Sequence, residues 1–349
     1  MKPRKYSSEI EETTNQNHKT EPGHRQAILR TDGSTYISSN PISRYAELHV
    51  HSNYSFQEGA SEIWDLLLTA KNIGLQTMAI TDHDNITGAM EFSQAAKELG
   101  IKPIIGVEIT LSHGLMEPSG TKHRPPDQPH ITLLAETAVG YRNICLLTTR
   151  AHVDAEERKY PNLDPTLLKN HSQGIICLSG CRQGEISILV DNDDLKSARH
   201  AASKYLNIFG KEHFFMELQQ NLVMGDLQRN QNMAKLANDV GVGIVATNNV
   251  HYHIRDRHRL NDSLVAIKHN KSLEASHRER RPNDQFFLKS AEEMNALFDA
   301  LPEAITNTMK IADRCEFDIT SNSIYDFPTY ESLPPEHTES SYLRKICEE

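Results

Sequence analysis

Cysteine is scarce and unpaired in this sequence. The five residues Cys145, Cys177, Cys181, Cys315 and Cys347 are odd in number, widely spaced and free of any CxxC arrangement. That argues against a secreted disulfide framework and a zinc ribbon, and predicts reduced thiols in the cytoplasm. Long apolar runs are missing as well. None approaches the ~18 residues of a membrane-spanning helix, so no membrane partner is expected. The first forty residues lack the ~7–15-residue apolar core of a signal peptide. Positive charge is in deficit, with 37 Lys and Arg against 47 Asp and Glu and a formal charge of −10. So acidic a chain does not grip DNA by its overall field, because nonspecific duplex binding rests on neutralising phosphates with Lys and Arg. Any such contact must be local.

Histidine, by contrast, is plentiful at 18 residues, and it is the commonest protein metal ligand. The 349 residues, 38% hydrophobic and 24% charged, suit one large globular domain or two smaller ones. Residues 1–43 are rich in Ser, Thr, Asn, Glu and Lys and are expected to be disordered. From Tyr45 a rhythm of short apolar strands and helix-patterned segments begins. Strands are predicted at 45–50, 77–80, 103–110, 130–135, 175–178, 213–218 and 243–247. Helical patterns lie between most of them, as in "SEIWDLLLTAKNIG" and "TGAMEFSQAAKELG", each closed by a capping glycine. The alternation predicts parallel β/α construction. Seven strands in about 210 residues favour a barrel over an open doubly wound sheet. "SHGLMEPSGTKHRPPDQP" (112–129) interrupts the rhythm as a long loop.

Beyond 255 the pattern changes to helices joined by loops. Ser290 with Glu293 reads as a capping box, and 317–337 is irregular. The division expected is therefore an extension, 1–43, a barrel, 44–255, and a helical linker, 256–349. "TESSYLRKICEE" carries one apolar stripe and ends on Glu348-Glu349 without a capping glycine, which reads as the front part of something longer.

The polar residues at predicted strand ends stand where β/α barrels build their sites. The first strand carries His49 and His51, which alternation places on one face, and Glu58 follows seven residues later. The second ends in Asp82, His83 and Asp84. Glu108 lies inside the apolar third strand, where a buried carboxylate needs compensation of the kind a metal gives. His130 heads the fourth, Cys181 follows the fifth, and Asn249, His251 and His253 follow the seventh. Singly, a strand-end histidine reads as a hydrogen-bonded structural residue, Cys181 as a small buried one, and His253 as a loop histidine. Together they are ligands enough for two or three divalent ions. Mixed nitrogen and oxygen ligation suits Zn, Mn or Fe better than Mg or Ca. Clustered metals of that kind activate water and hold the oxygens of a displacement at phosphorus.

The ordered series HxH, TDH, GxE, H, SGC and NxH resembles the PHP (polymerase and histidinol phosphatase) family. It is most similar to the PHP domain that opens bacterial C-family polymerases, the DNA polymerase III alpha subunits. "YAELHVHSNYSFQEGAS" resembles the error-prone branch. The similarity extends through "FFLKSAEEMNALFDALPEAITNTMKIADRCEF", which resembles the segment joining PHP to the polymerase palm.

The resemblance implies a distorted seven-stranded TIM-like barrel followed by a helical linker. It implies a trinuclear site of His49, His51, Glu58, His83, Glu108, His130, Cys181, Asn249 and His251, with Asp82 as support and Glu108 bridging metals. Catalysis would fall to His49, His51, His83, Glu108, His130 and His251. Two positions depart from the pattern. Glu58 stands where many alpha subunits have Asp, and Asn249 replaces the Asp of the last motif. The implied function is a metal-dependent phosphoesterase, a 3′–5′ exonuclease or pyrophosphatase, in DNA replication or repair. Its partners would be DNA or a nucleotide phosphoester, and a polymerase body or other replication and repair proteins. A non-catalytic scaffold and a free-standing small-molecule phosphatase are the alternatives. The chain is expected to stop before the palm aspartates and so not to synthesise DNA itself.

Overall fold

The structure, a computed structural model, describes residues 27–29, 35–37, 43–115, 128–155, 160–321, 330 and 332–348. Most of the expected extension 1–43, the middle of the loop 112–129 and part of 317–337 lie outside them. Near the N-terminus β1 (Ala27–Leu29) pairs antiparallel with β2 (Thr35–Ile37).

The body is a curled six-stranded sheet in sequential order. Its strands are β3 (Thr77–Ile80), β4 (Lys102–Thr110), β5 (His130–Ala135), β6 (Ile175–Leu178), β7 (Phe214–Gln219) and β8 (Gly243–Thr247). Helix α1 (Ile63–Asn72) precedes β3, and α2 (Ala89–Leu99) connects β3 to β4 and ends on Gly100 at φ 75°, a left-handed conformation that glycine adopts without strain. Helix α3 (Ala138–Val153) follows β5, α4 (Glu185–Asp191) and α5 (Leu195–Phe209) lie between β6 and β7, and α6 (Asp226–Val240) lies between β7 and β8.

Two expectations need correction. The first of the seven predicted strands, at 45–50, is not formed. Glu47 makes a single parallel bridge to Met78, and Val50 one to Val250. The segment therefore lies beside both ends of the sheet, but its amides go to side chains instead of a ladder. Ala46 N donates to Thr308 Oγ1 at 3.1 Å, His49 N to Glu47 Oε1 at 3.0 Å and Val50 N to Thr81 Oγ1 at 2.9 Å. The construction is also mixed, since β5 runs antiparallel to both β4 and β6. A parallel connection needs a crossover of a dozen or more residues, usually helical, and the proline- and glycine-rich sequence at 112–129, between β4 and β5, predicts a loop instead.

Alternation along the strands divides the core. Ile105, Val107, Cys177, Ile244 and Ala246 belong to the large cluster that also holds the helix faces. Ile104, Leu134, Ile176, Phe215 and Val245 face the other way, into a second cluster with Ile311 and Ala312. Those two residues come from α9 (Pro302–Arg314), which follows α7 (His258–Lys268) and α8 (Ala291–Leu297). Helix α8 begins with the expected Ser290–Glu293 capping box. Asn295 on α8 exchanges hydrogen bonds with the backbone of Ser43 at 2.9 and 2.8 Å. The last helix, α10 (Glu339–Glu348), buries no residue.

Candidate metal centre

Further along the same inner face, polar residues replace the apolar ones. Glu108, Thr132, Glu217 and Thr247 are in phase with Ile104, Leu134, Phe215 and Val245, and all four are buried. Antiparallel β5 explains how His130, at the head of its strand, joins residues from the tails of the parallel ones. It pairs with Thr110 at the end of β4.

Glu108 lies at the centre. His49 Nε2 is 3.4 Å, His51 Nε2 3.2 Å and His83 Nε2 2.9 Å from its Oε2, and His130 Nδ1 is 3.5 Å from Oε1. Two groups have ligand atoms close enough to share an ion, His49–His51–Glu108 and His83–Glu108–His130. His251 stacks toward His51 with ring centres 4.2 Å apart. Glu58 reaches His83 Nε2 at 3.3 Å and is also paired with Lys268 of α7. Cys181 Sγ is 3.9 Å from His130 Nδ1. The remaining expected ligand, Asn249, adopts φ 47° and points its Oδ1 into buried space without a partner.

Each innermost imidazole is oriented from behind. His49 Nδ1 lies 2.6 Å from Glu217 Oε1, and a carboxylate there accepts the Nδ1 proton. His51 Nδ1 lies 2.9 Å from Ser55 Oγ, which donates to Asp82 Oδ1 at 2.6 Å. His251 Nδ1 lies 2.8 Å from the carbonyl of Asn249. All three rings thus present Nε2 to the same interior, and each Nε2 is buried with no hydrogen-bond partner, as is Glu108 Oε1. Buried polar atoms are ordinarily satisfied. Four orphaned ligand atoms around one space, in tautomers fixed by partners at the other ring nitrogen, fit a metal centre.

Charge is polarised across the cluster. Burial alone would lower His49, but Glu217 and Glu108 outweigh it and hold it at about 10. Burial likewise opposes protonation of His83, and Glu58 and Glu108 hold it at about 9. Burial drives His51 down to about 3, and His251 falls well below its ordinary value for the same reason. Glu108 is held well below the usual carboxylate range by His83, His49 and His130, against burial. Burial and Glu108 push the Cys181 thiol up, so a metal ion would have to displace its proton.

Asp82 does not touch the His83 ring. It accepts from Ser52 N and Oγ, both at 2.7 Å, and from Ser55, whose Oγ also accepts from His83 N at 3.0 Å. The 52–59 loop depends on Gly59, where a Cβ would lie 1.8 Å from the Ser52 carbonyl. Asp84 bonds Thr110, and His253 bonds Ser61 at 2.7 Å. Sequence reasoning missed Glu217, Ser55 and Glu47, whose carboxylate accepts from His49 N and Tyr45 Oη. The signal for Glu217 was available, because "FFMELQQ" sets a carboxylate inside an apolar strand as "PIIGVEITL" does.

A sequence model of the PHP domain matches residues 47–221. The DNA polymerase III subunit alpha of Thermus aquaticus is 35% identical over 314 residues, covering 87% of this chain and 25% of that protein. The subunit alpha of Treponema pallidum (strain Nichols) is 34% identical over 306 residues, or 86% and 26%. The error-prone DNA polymerase of Symbiobacterium thermophilum is 35% identical over 308 residues, or 83% and 27%. The chain spans about a quarter of the length of these relatives. Among the described residues no helix is long and apolar enough to cross a membrane.

Proposed function

This chain belongs to the PHP domain family, and from that premise we propose that it is the N-terminal PHP module of an error-prone DNA polymerase III alpha-type protein, acting in the cytoplasm as a metal-dependent phosphoesterase. Its substrate would be a DNA or nucleotide phosphoester, cut as a 3′–5′ exonuclease or a pyrophosphatase. The observation that carries the reading is the sharing of Glu108 between two candidate ligand groups, the inner of which, His49 and His51, keeps its buried Nε2 atoms without a hydrogen-bond partner. Residues 256–349 would lead toward a polymerase body.

His49, His51, Glu108 and His251 would hold the inner side of a centre of two or three Zn, Mn or Fe ions. His83, His130, Glu58 and Cys181 would hold the outer side, with Asn249 contributing its amide oxygen. Bound there, divalent cations supply Lewis-acid activation of water and counter-charge for a transition state at phosphorus. The protein's own part is orientation. Glu217, Ser55 and the Asn249 carbonyl keep three imidazoles in one tautomer.

The test is elemental analysis of the purified chain, followed by hydrolysis of a 3′-labelled single-stranded oligonucleotide and of pyrophosphate. Two to three metal equivalents are expected, with metal and hydrolysis both lost in His49→Ala. No more than trace metal after reconstitution would sink the reading. A second reading, a structural module of the polymerase, is favoured by the Glu58–Lys268 ion pair, which ties a ligand to α7, and by the neutral Asn249. A chain that is fully metallated yet hydrolyses neither substrate would support it.

A further inference from the structure

The acidity of the chain is not uniform. Residues 255–281 carry eight Lys and Arg against four Asp and Glu, in a protein of net charge −10. Most of these cations are already paired. Arg257 meets Asp65, Lys268 Glu58, Lys271 Glu279, and Arg280 Asp262. Arg259 and Arg278 are exposed. Arg281 is partly buried, its Nε, like that of Arg280, has no hydrogen-bond partner, and unlike Arg280 it forms no ion pair with a carboxylate among the described residues.

The position of Arg281 is defined by what surrounds it. The guanidinium lies over the Phe286 ring, 4.9 Å from its centre, a placement that fixes a cation by its attraction to the aromatic face. Phe286 is itself buried and meets the His251 ring edge-on, with centres 6.3 Å apart. The groups coupled electrostatically to Arg281 include Glu58, Cys181 and Glu108 of the candidate centre together with Tyr252, and His251. A guanidinium that is partly shielded from water, with a buried Nε and no counter-ion, carries a desolvation cost. Beside a centre filled with cations it becomes more so, and an anion between the two removes the conflict. The planar fork of arginine matches two oxygens of a phosphate.

We propose that Arg281 is the phosphate-holding residue of this site, receiving the non-bridging oxygens of a nucleotide phosphoester on the side of the centre bounded by Glu58 and Phe286. This rests on the phosphoesterase reading above for the identity of the ligand. The residue comes from outside the matched span 47–221, so it is supplied by the segment that follows the sheet.

The experiment uses the full metal-loaded chain and thymidine 5′-monophosphate, titrated by calorimetry alongside elemental analysis. Arg281→Gln should keep its metal and lose roughly ten- to a hundredfold in affinity for the nucleotide, the range of a charge-assisted contact. Arg281→Lys should recover part of that loss, since it restores the charge and not the fork. Unchanged affinity in Arg281→Gln with metal intact overturns the inference, as does loss of metal in both variants, which would make Arg281 a support of the centre. The two readings separate cleanly. Hydrolysis without any dependence on Arg281 leaves the phosphoesterase and removes this residue. Nucleotide binding through Arg281 without hydrolysis keeps the residue and removes the phosphoesterase.

Discussion

The two ligand groups that meet at Glu108 are built to different standards. His49 and His51 are 0% exposed, whereas His83 and His130 are 15% and 14% exposed. The inner imidazoles have their second nitrogens taken by Glu217 and Ser55 and their Nε2 atoms left without partners. On the outer side, His83 Nε2 leans on Glu58 as well as Glu108. The inner group is buried and oriented as an ion-holding site would require, and the outer group is partly exposed, the side from which the proposed phosphoester would enter. Burial and orientation, more than residue type, separate a holding position from an exchanging one.

Because Glu108 belongs to both groups, Glu108→Gln should abolish the difference by emptying both. Elemental analysis should find little metal. In the metal-free protein the change removes the common acceptor of buried imidazoles, so urea unfolding should report a loss of about 3–5 kcal/mol. Glu217→Gln acts behind His49 alone and should sharpen the contrast. Chelator competition should show the tightest-held ion weakened by roughly 10- to 100-fold, the usual cost of removing a partner behind a ligand, with weaker ions little changed. Equal weakening of every ion would mean that the two groups are one.

Acidity offers a gentler probe. In the metal-free protein His49 and His83 are held at about 10 and about 9, above the ~6.5 of an unfolded histidine. Their contribution to stability is complete below that value and is lost as pH rises through about 9 and then about 10. Thermal melts of the metal-free chain should therefore fall over that window. Metal loading must displace both protons, so affinity should drop as pH falls and calorimetry at neutral pH should detect proton release. His51, at about 3, and His251 contribute none. The smallest effect is expected from Asn249→Asp. It adds charge at a buried Oδ1 that has no hydrogen-bond partner, and should tighten metal binding a few-fold in side-by-side titrations. No tightening would remove Asn249 from the ligand set.

The residues that gather around Glu108 were legible because metal chemistry restricts the candidate types and strand ends expose them. What lay behind them was harder to read. Ser55 has no signature in a polar loop. Glu217 had one, a lone carboxylate within an apolar strand, the same signal that marks Glu108. The segment at 45–50 reads as a strand because its residues are apolar and alternate. Pattern alone does not report that Thr308 and Thr81 take its amides. The reversal of β5 was implicit in the proline- and glycine-rich sequence of the preceding connection, which predicts no helix, and it is that reversal which brings His130 into the site.

The attachments of the first segment carry a consequence in time. Ala46 is bound to Thr308, 262 residues away, and Ser43 to Asn295, 252 residues away. At the usual ~5–20 residues per second of synthesis, the backbone that carries His49 and His51 waits roughly a quarter of a minute to a minute for the residues that fasten it. Contacts so distant in sequence form slowly in any case, because the intervening chain must be closed first. Of the candidate-site histidines, the two made earliest are among the last to be fixed in place, so during translation the inner group is a late product of folding and not its nucleus.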